Sequence, residues 1–511
     1  MQNNPILPRL FPALVFAGAF AIYLVCGTSE VGWGDSAKYA TFAAEPHFEI
    51  RAGMHVGYSY VTAGLVRLVP FGSYAARANR INAFYAALAL TILFMVLRRA
   101  VQSDKAAVVG IAAVALSHPF FSLATIAESY PFFMLVVSAF IAVAAKWRKT
   151  RDARWLIVGG FIAGFSICVN LSATILFPAA VVFLILTIAK DKPSEWKPLW
   201  VPLASTVLLF IVGLFPLILG VAYMWVENFY WGSSHSIFTA DLFRQISDIE
   251  YAGPFFLAAP LAAAKGVAIF LGIAAYAFPL LAGILAVIGV VDQFRRDRAA
   301  AIALIVAVGA VVIFFSTYSL VQRLPFIYST PLFLCAFWIA RGARWIFEKR
   351  PGRIAFEIVL AAIILTPVSL YSAVCYAAPK INAKLASKIR EIPHRDNVKY
   401  FLVPWRFAGT GTKSLAGEIG RIAEHGILFS DFTPFVSLNY LQKYEGFCKD
   451  VKLEFAEQKL DGWFAYRFAI IYYGGVFFMS RSLAPDEMDY KEVVGFPDPE
   501  RGPYWKLIPK Y

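Results

Sequence analysis

The side chains in this sequence that could do chemistry lie in short polar stretches between long apolar runs. The first stretch, residues 27–39, reads Gly-Thr-Ser-Glu-Val-Gly-Trp-Gly-Asp-Ser-Ala-Lys-Tyr. It places Glu30 and Asp35 just after an apolar run, with Lys38 a turn further on. A carboxylate so placed can take the proton of an attacking hydroxyl or hold a metal ion. Gly32 and Gly34 would let the backbone approach a ligand closely, although Asp35-Ser36 could equally cap a helix starting at Ala37. His55, within Met54-His55-Val56-Gly57-Tyr58-Ser59, could meet a phosphate or sit at a polar boundary. Glu128, in Ala127-Glu128-Ser129-Tyr130, borders an apolar run, where an ionisable group is costly unless it is paired or faces water. Asn170 stands alone at a turn, which turn chemistry also explains. Arg323 is a cation in a turn otherwise without charge. Its guanidinium could pair with a phosphate or merely snorkel to the surface. The segment Glu227–Ser236 has polar groups suited to a sugar and aromatics that an interfacial belt explains as well. No Asp-x-Asp run lies near Asp35, so these residues commit to no metal and leave a divalent ion open.

The elements that position these groups follow from composition. Of 511 residues, 59% are hydrophobic and 16% charged, against about 45–50% and about 25% in soluble domains. The mean hydropathy is +0.63, and the excess is gathered into runs such as Phe11–Cys26, Ile157–Cys168 and Leu203–Tyr223. Such runs approach the roughly 20 helical residues that cross a bilayer. They exclude an ordinary soluble protein, a disordered chain, a small disulfide scaffold and a membrane β-barrel, which shows alternating segments of roughly ten residues. The net charge of +14 sits mostly in short stretches between apolar runs: Arg98-Arg99, Lys146–Arg154, Lys190–Lys197, Arg295–Arg298 and Arg341–Arg353. That is the pattern of cytoplasmic loops, not of a nucleic-acid surface. Leu10–Gly27 reads as a retained signal anchor. With it the chain has about eleven spans, among them Gly266–Val291, with the N-terminus inside, the loop 28–80 outside and His118–Pro131 undecided between span and loop. Three of the five cysteines fall in or at the ends of spans, where a small apolar side chain suffices, and Cys375 and Cys448 could both face an oxidising compartment.

The expected architecture is a polytopic α-helical membrane domain over residues 1–379 and an extracytoplasmic α/β domain over 380–511. In the second part, β-like runs at Tyr400–Val403, Gly426–Phe429 and Phe468–Tyr473 alternate with a helix-like stretch, Ser414–Glu424, closed by His425-Gly426.

A pattern connects the polar stretches. One span, a loop with Gly34-Asp35-Ser36, then His55-Val56-Gly57-Tyr58, then Ala127-Glu128-Ser129-Tyr130 and Asn170-Leu171, resembles the GT-C membrane glycosyltransferases. The branch it most resembles holds the transmembrane O-mannosyltransferases (the group also known as domain of unknown function 2723) and their bacterial relatives. The run Gly426–Asp431, then Tyr440-Leu441-Gln442 and Glu445–Val451, looks like the same family. Departures are Lys38 where a second acid is usual, one proline missing after His55, and Leu171 in place of a histidine. The resemblance implies a sugar moved from a polyprenyl-phosphate donor to an extracytoplasmic hydroxyl on a protein, lipid or glycan, with inversion. Asp35 would be the general base and Glu128 its partner in orienting the acceptor. His55, Lys38, Tyr58, Tyr130, Asn170 and Arg323 would serve the donor phosphate and substrate. Partners would be the lipid-linked donor, the acceptor and membrane lipid, with no nucleic acid. A bacterial inner membrane is expected, with the C-terminal domain periplasmic. The competing readings are a transporter, which needs ionisable groups deep within spans, and a non-catalytic membrane scaffold.

Overall fold

The computed structural model describes residues 7–46, 55–189, 200–222, 260–316, 325–385, 392–455, 475–479, 491–496 and 504–509. Helices dominate it. In order come α1 (Leu7–Cys26), α2 (Asp35–Ala44), α3 (Val56–Leu68), α4 (Tyr74–Ala100), α5 (Asp104–Ala115), α6 (His118–Ala124), α7 (Ser129–Thr150), α8 (Ala153–Val169) and α9 (Ala173–Ile188). Among the described residues five helices are long and apolar enough to cross a membrane, and three bent pairs raise this to eight if each pair is one crossing. Leu10–Cys26, Ala153–Val169 and Ala173–Ile188 are apolar but shorter.

Lipid offers no hydrophobic gain for bringing one apolar helix against another, so close packing has to hold the bundle together. The sequence of α4 suits this: Ala75, Ala78, Ala83, Ala86, Ala87 and Ala89 are all buried, and they let α1 and α7 approach its backbone. Its start is capped by Ser73, whose hydroxyl accepts the Ala76 N–H at 3.3 Å. Arg98 and Arg99 lie in its last turn, where cations meet the negative end of the helix.

The basic turns gather at one end of the bundle. Arg98 pairs with Asp104 at 2.9 Å and Arg148 with Asp297 at 2.6 Å. Arg296 joins Asp292 to Glu348, and Arg344 reaches from Glu348 to the Val101 carbonyl. Turns far apart in the chain are thus tied together, leaving the opposite end to the polar stretches that could do chemistry.

Two expectations change. The run Gly266–Val291, read as one span, is a bent pair, Ala264–Ala277 and Leu281–Arg296, meeting at 114°. Pro279 has no N–H to continue the ladder, and Leu280 takes a positive φ of 49°. Tyr400–Val403, read as β-like, falls in a short helix, Asn397–Leu402, capped by the Asp396 carboxylate on the Lys399 N–H. A short apolar run does not by itself distinguish the two. The expected runs at Ser414–Glu424 and Gly426–Phe429 are a helix, Thr412–Ile422, and a strand, β1 (Ile427–Ser430). Phe468–Tyr473 lies outside the described residues. The cysteines are free.

The C-terminal strands form one sheet with β2 (Lys452–Phe455), β3 (Val476–Phe478), β4 (Lys491–Phe496) and β5 (Tyr504–Pro509), in the order β2-β1-β3-β5-β4. β1 runs parallel to β2 and β3, while β5 is antiparallel to β3 and β4. Its core takes in Val31, Trp33, Ala37, Ala40 and Ala75 from the N-terminal part, packed with Leu415, Ile419, Leu428 and Leu438. The first polar loop and the C-terminal unit therefore share one apolar core.

Candidate active site

Three helices begin at the end of the bundle that carries the C-terminal unit. α2 starts at Asp35, α3 follows His55, and α7 follows Glu128. Each helix start carries the positive end of a dipole. Gly34, before Asp35, has φ 59° and ψ −124°, outside the usual range of an L-residue. His55 is left-handed at φ 46°. Gly57 lets α3 start hard against α8: a Cβ there would lie 3.1 Å from the Cys168 carbonyl carbon and from Val169 Cγ2.

Asp35 is exposed at the start of α2, and its charge reaches Glu128 at the start of α7. Burial pushes the Asp35 carboxyl up and Lys38, one turn along α2, pulls it back. Glu128 is held well above the usual carboxylate range, by burial first and then by the charge of Asp35. Lys38 acts on both carboxyls and lowers each. Around them Ser36, Tyr58 and Ser129 are buried.

The two carboxylate loops are braced from α4. Asn79, buried, donates to the carbonyls of Thr28 at 2.8 Å and Glu30 at 3.0 Å, and its oxygen accepts the Ala127 N–H at 2.8 Å. One side chain therefore joins the loop before Asp35 to the loop before Glu128. Asn82 adds bonds to the carbonyls of Leu123 and Ile126.

The other sequence candidates divide. Burial and Lys38 lower the His55 imidazole to about 3, so it is neutral at physiological pH and can meet a phosphate only as an uncharged hydrogen-bonding group. Tyr58 is buried in a ring cluster with Tyr39, Tyr85 and Phe132, next to Glu128. Tyr130 packs in the first turn of α7 against the bundle core. Asn170 makes a turn: its oxygen accepts from the Ser172 N–H at 3.0 Å and hydroxyl at 2.6 Å. Glu30 is turned to the C-terminal unit, where its Oε2 accepts from the Thr410 N–H and hydroxyl and the Gly411 N–H. Arg323 and the segment Glu227–Ser236 lie outside the described residues. Among the described residues no three His, Cys, Asp or Glu side chains stand together as a metal site.

Two residues at this end escaped the sequence reading. Tyr400 reaches Glu128 electrostatically from the C-terminal unit. Arg406, buried and lowered by that burial to about 10, donates to the Tyr400 carbonyl and the Ser122 hydroxyl, each at 2.7 Å. It therefore anchors the segment carrying Tyr400 to α6. No local signal marks either one, because Glu128 and Ser122 lie hundreds of residues away in the chain. A cleft of about 590 Å³ at the end of α1, lined by Tyr23, Thr28, Arg80 and Phe407 among others, does not include Asp35 or Glu128.

Two solved structures share the fold over nearly the whole chain. ArnT from Cupriavidus metallidurans bound to undecaprenyl phosphate aligns over 98% of each chain, at TM-score 0.56 and 15% identity. Its apo state aligns over 98% of each, at TM-score 0.55 and 14% identity. The chain has an ArnT-like GT-C fold. Residues 58–194 match the family described as the protein O-mannosyl-transferase TMEM260 N-terminal domain, a stretch that begins in α3 and contains Glu128. The likeness to the O-mannosyltransferase-like branch of the GT-C proteins therefore holds, and the chain is an integral membrane protein. No curated protein matches the sequence.

Proposed function

We propose that the chain transfers a sugar from a polyprenyl-phosphate donor to a hydroxyl acceptor on the extracytoplasmic side of a membrane. The observation that carries the reading is the unequal carboxyl pair, Asp35 and Glu128, set where three helix starts converge in an ArnT-like fold. The solved ArnT complex with undecaprenyl phosphate supports a lipid phosphate as the donor's carrier.

The acceptor oxygen attacks the anomeric carbon while the Asp35 carboxylate takes its proton. The bond from that carbon to the phosphate oxygen breaks, the polyprenyl phosphate leaves with the electron pair, and the anomeric configuration inverts. Charge grows on the leaving phosphate, so cations and N–H donors help it more than a general acid would. Lys38 and the N–H groups at the starts of α2, α3 and α7 are the described groups suited to that role. Glu128, neutral, orients the acceptor hydroxyl, and Tyr58, Tyr130 and Tyr400 border the same space. The domain division at about residue 380, a periplasmic C-terminal unit and a bacterial inner membrane belong to this proposal.

The test uses purified protein in lipid nanodiscs with a panel of undecaprenyl-phosphate hexoses and simple hydroxyl acceptors. Release of undecaprenyl phosphate that depends on the acceptor supports the reading. Wild-type protein that releases none across the panel counts against it.

A further inference from the structure

The five residues before Asp35 are each tied to the C-terminal unit. Glu30 Oε2 accepts the Thr410 N–H at 2.8 Å, the Thr410 hydroxyl at 3.0 Å and the Gly411 N–H at 3.2 Å. The Val31 carbonyl accepts the hydroxyls of Thr410 at 2.7 Å and Thr412 at 2.9 Å. The Gly32 carbonyl accepts the Ser437 hydroxyl at 3.0 Å. The Trp33 indole N–H donates to the Thr410 carbonyl at 2.8 Å. The Gly34 N–H points to the Thr433 carbonyl at 3.4 Å. Val31 and Trp33 also sink into the apolar core they share with that unit.

A loop with no hydrogen-bond ladder of its own takes its conformation from whatever satisfies its polar groups. Here nearly all of that comes from residues 410–437, and Gly34 at the end holds a backbone conformation that needs such support. Glu30 is the strongest tie, since a carboxylate oxygen collecting three donors makes charge-assisted bonds. From its other side Asn79 holds the Glu30 carbonyl and joins it to Ala127, the neighbour of Glu128.

We infer that Glu30 is a positioning residue for Asp35, acting through its clip on Thr410 and Gly411, so that the C-terminal unit sets the geometry of the base. This rests on the reading of Asp35 as the base. Glu30 touches neither donor nor acceptor; it fixes the loop from which α2 starts. A misplacement of about 1 Å at a reacting group costs on the order of a hundredfold in rate. Glu30→Ala should therefore lower kcat by about 10- to 100-fold and leave the donor KM within about twofold. Glu30→Gln keeps an oxygen for the same three donors and should stay within about threefold of wild type.

The deciding experiment is a cycle with Asp35→Asn, measured in nanodiscs with the undecaprenyl-phosphate hexose that wild type turns over, alongside amide exchange on each variant. If Glu30 works through Asp35, Glu30→Ala costs nothing further once Asp35 is Asn, and exchange at residues 31–36 quickens while α4 is unchanged. Losses that multiply across the cycle, a loss carried by KM, or Glu30→Gln as damaging as Glu30→Ala would overturn the inference. So would unchanged exchange at 31–36 in Glu30→Ala, a readout that needs no turnover. Full activity in Asp35→Asn alone would instead sink the functional reading, leaving the clip to be judged by exchange.

Discussion

Replacing Glu128 by Gln tests the division of labour between the two carboxyls. Burial raises both carboxyls, Glu128 the further, the charge of Asp35 adds to the rise of Glu128, and Lys38 lowers each. In the proposed mechanism Glu128 acts as a neutral hydrogen-bond donor, and an amide keeps its shape and a donor. The expected loss is therefore about tenfold or less, about 1.4 kcal/mol of barrier. Removing the base as Asp35→Asn forfeits general-base catalysis, about 10²- to 10⁴-fold, or about 2.7 to 5.5 kcal/mol. The pH profile sharpens the contrast. In wild type, kcat/KM should rise as Asp35 ionises and fall again at higher pH as Glu128 ionises and sets a second negative charge where a phosphate must lie. In Glu128→Gln the acid limb should remain and the alkaline limb should vanish. The assay is the initial rate of undecaprenyl phosphate release in nanodiscs across about pH 5 to 10. A Glu128→Gln loss as deep as that of Asp35→Asn, or an alkaline limb shared by both proteins, would refute the assignment of the proton to Glu128.

The same shift has a consequence for stability. A carboxyl whose folded value is raised binds more protons folded than unfolded, so stability falls as pH climbs from the unfolded value, about 4.3, towards the folded one. Glu128→Gln should therefore unfold at a higher temperature than wild type at pH 8, with the gap closing as pH falls to 5. A gap that does not change with pH would contradict the shift. Asn79→Leu should orphan the Ala127 N–H and two loop carbonyls, at about 1–3 kcal/mol for each buried group left unpaired; an unfolding midpoint equal to wild type would show that the brace does not hold those loops. Gly57→Ala places a methyl at 3.1 Å from the backbone of Cys168 and should cost about 1–3 kcal/mol, read as a lower melting temperature in detergent. Tyr440→Phe removes the 2.7 Å bond to the Ala75 N–H and should cost about 1–3 kcal/mol, with faster exchange at the start of α4.

The apolar runs were legible because a helix in lipid must satisfy its own backbone, which forces long apolar stretches and polar turns. Glu128 stood out for the same reason, as an ionisable group at the edge of such a run, while Asp35 stood out through the motif by which the sequence resembles the GT-C proteins. The bend at Pro279 was not legible, because one proline in an apolar run permits either a kinked span or two helices. The role of Glu30 could not be read at all. Its partners Thr410 and Gly411 lie 380 and 381 residues away, and an acidic residue five positions before Asp35 looks like a second catalytic group. Asn79 and Arg406 were hidden likewise: each is one polar residue in an ordinary helix or loop, and its meaning comes from backbone atoms that only the fold brings to it.

The central claim is that Asp35 takes the acceptor's proton in a transfer that releases a polyprenyl phosphate. The most direct measurement is acceptor-dependent release of undecaprenyl phosphate by wild type and Asp35→Asn, side by side, with donor binding measured on both. The account predicts donor binding within a few-fold of wild type and turnover lowered by about 10²- to 10⁴-fold. Turnover at the wild-type rate in Asp35→Asn would contradict it.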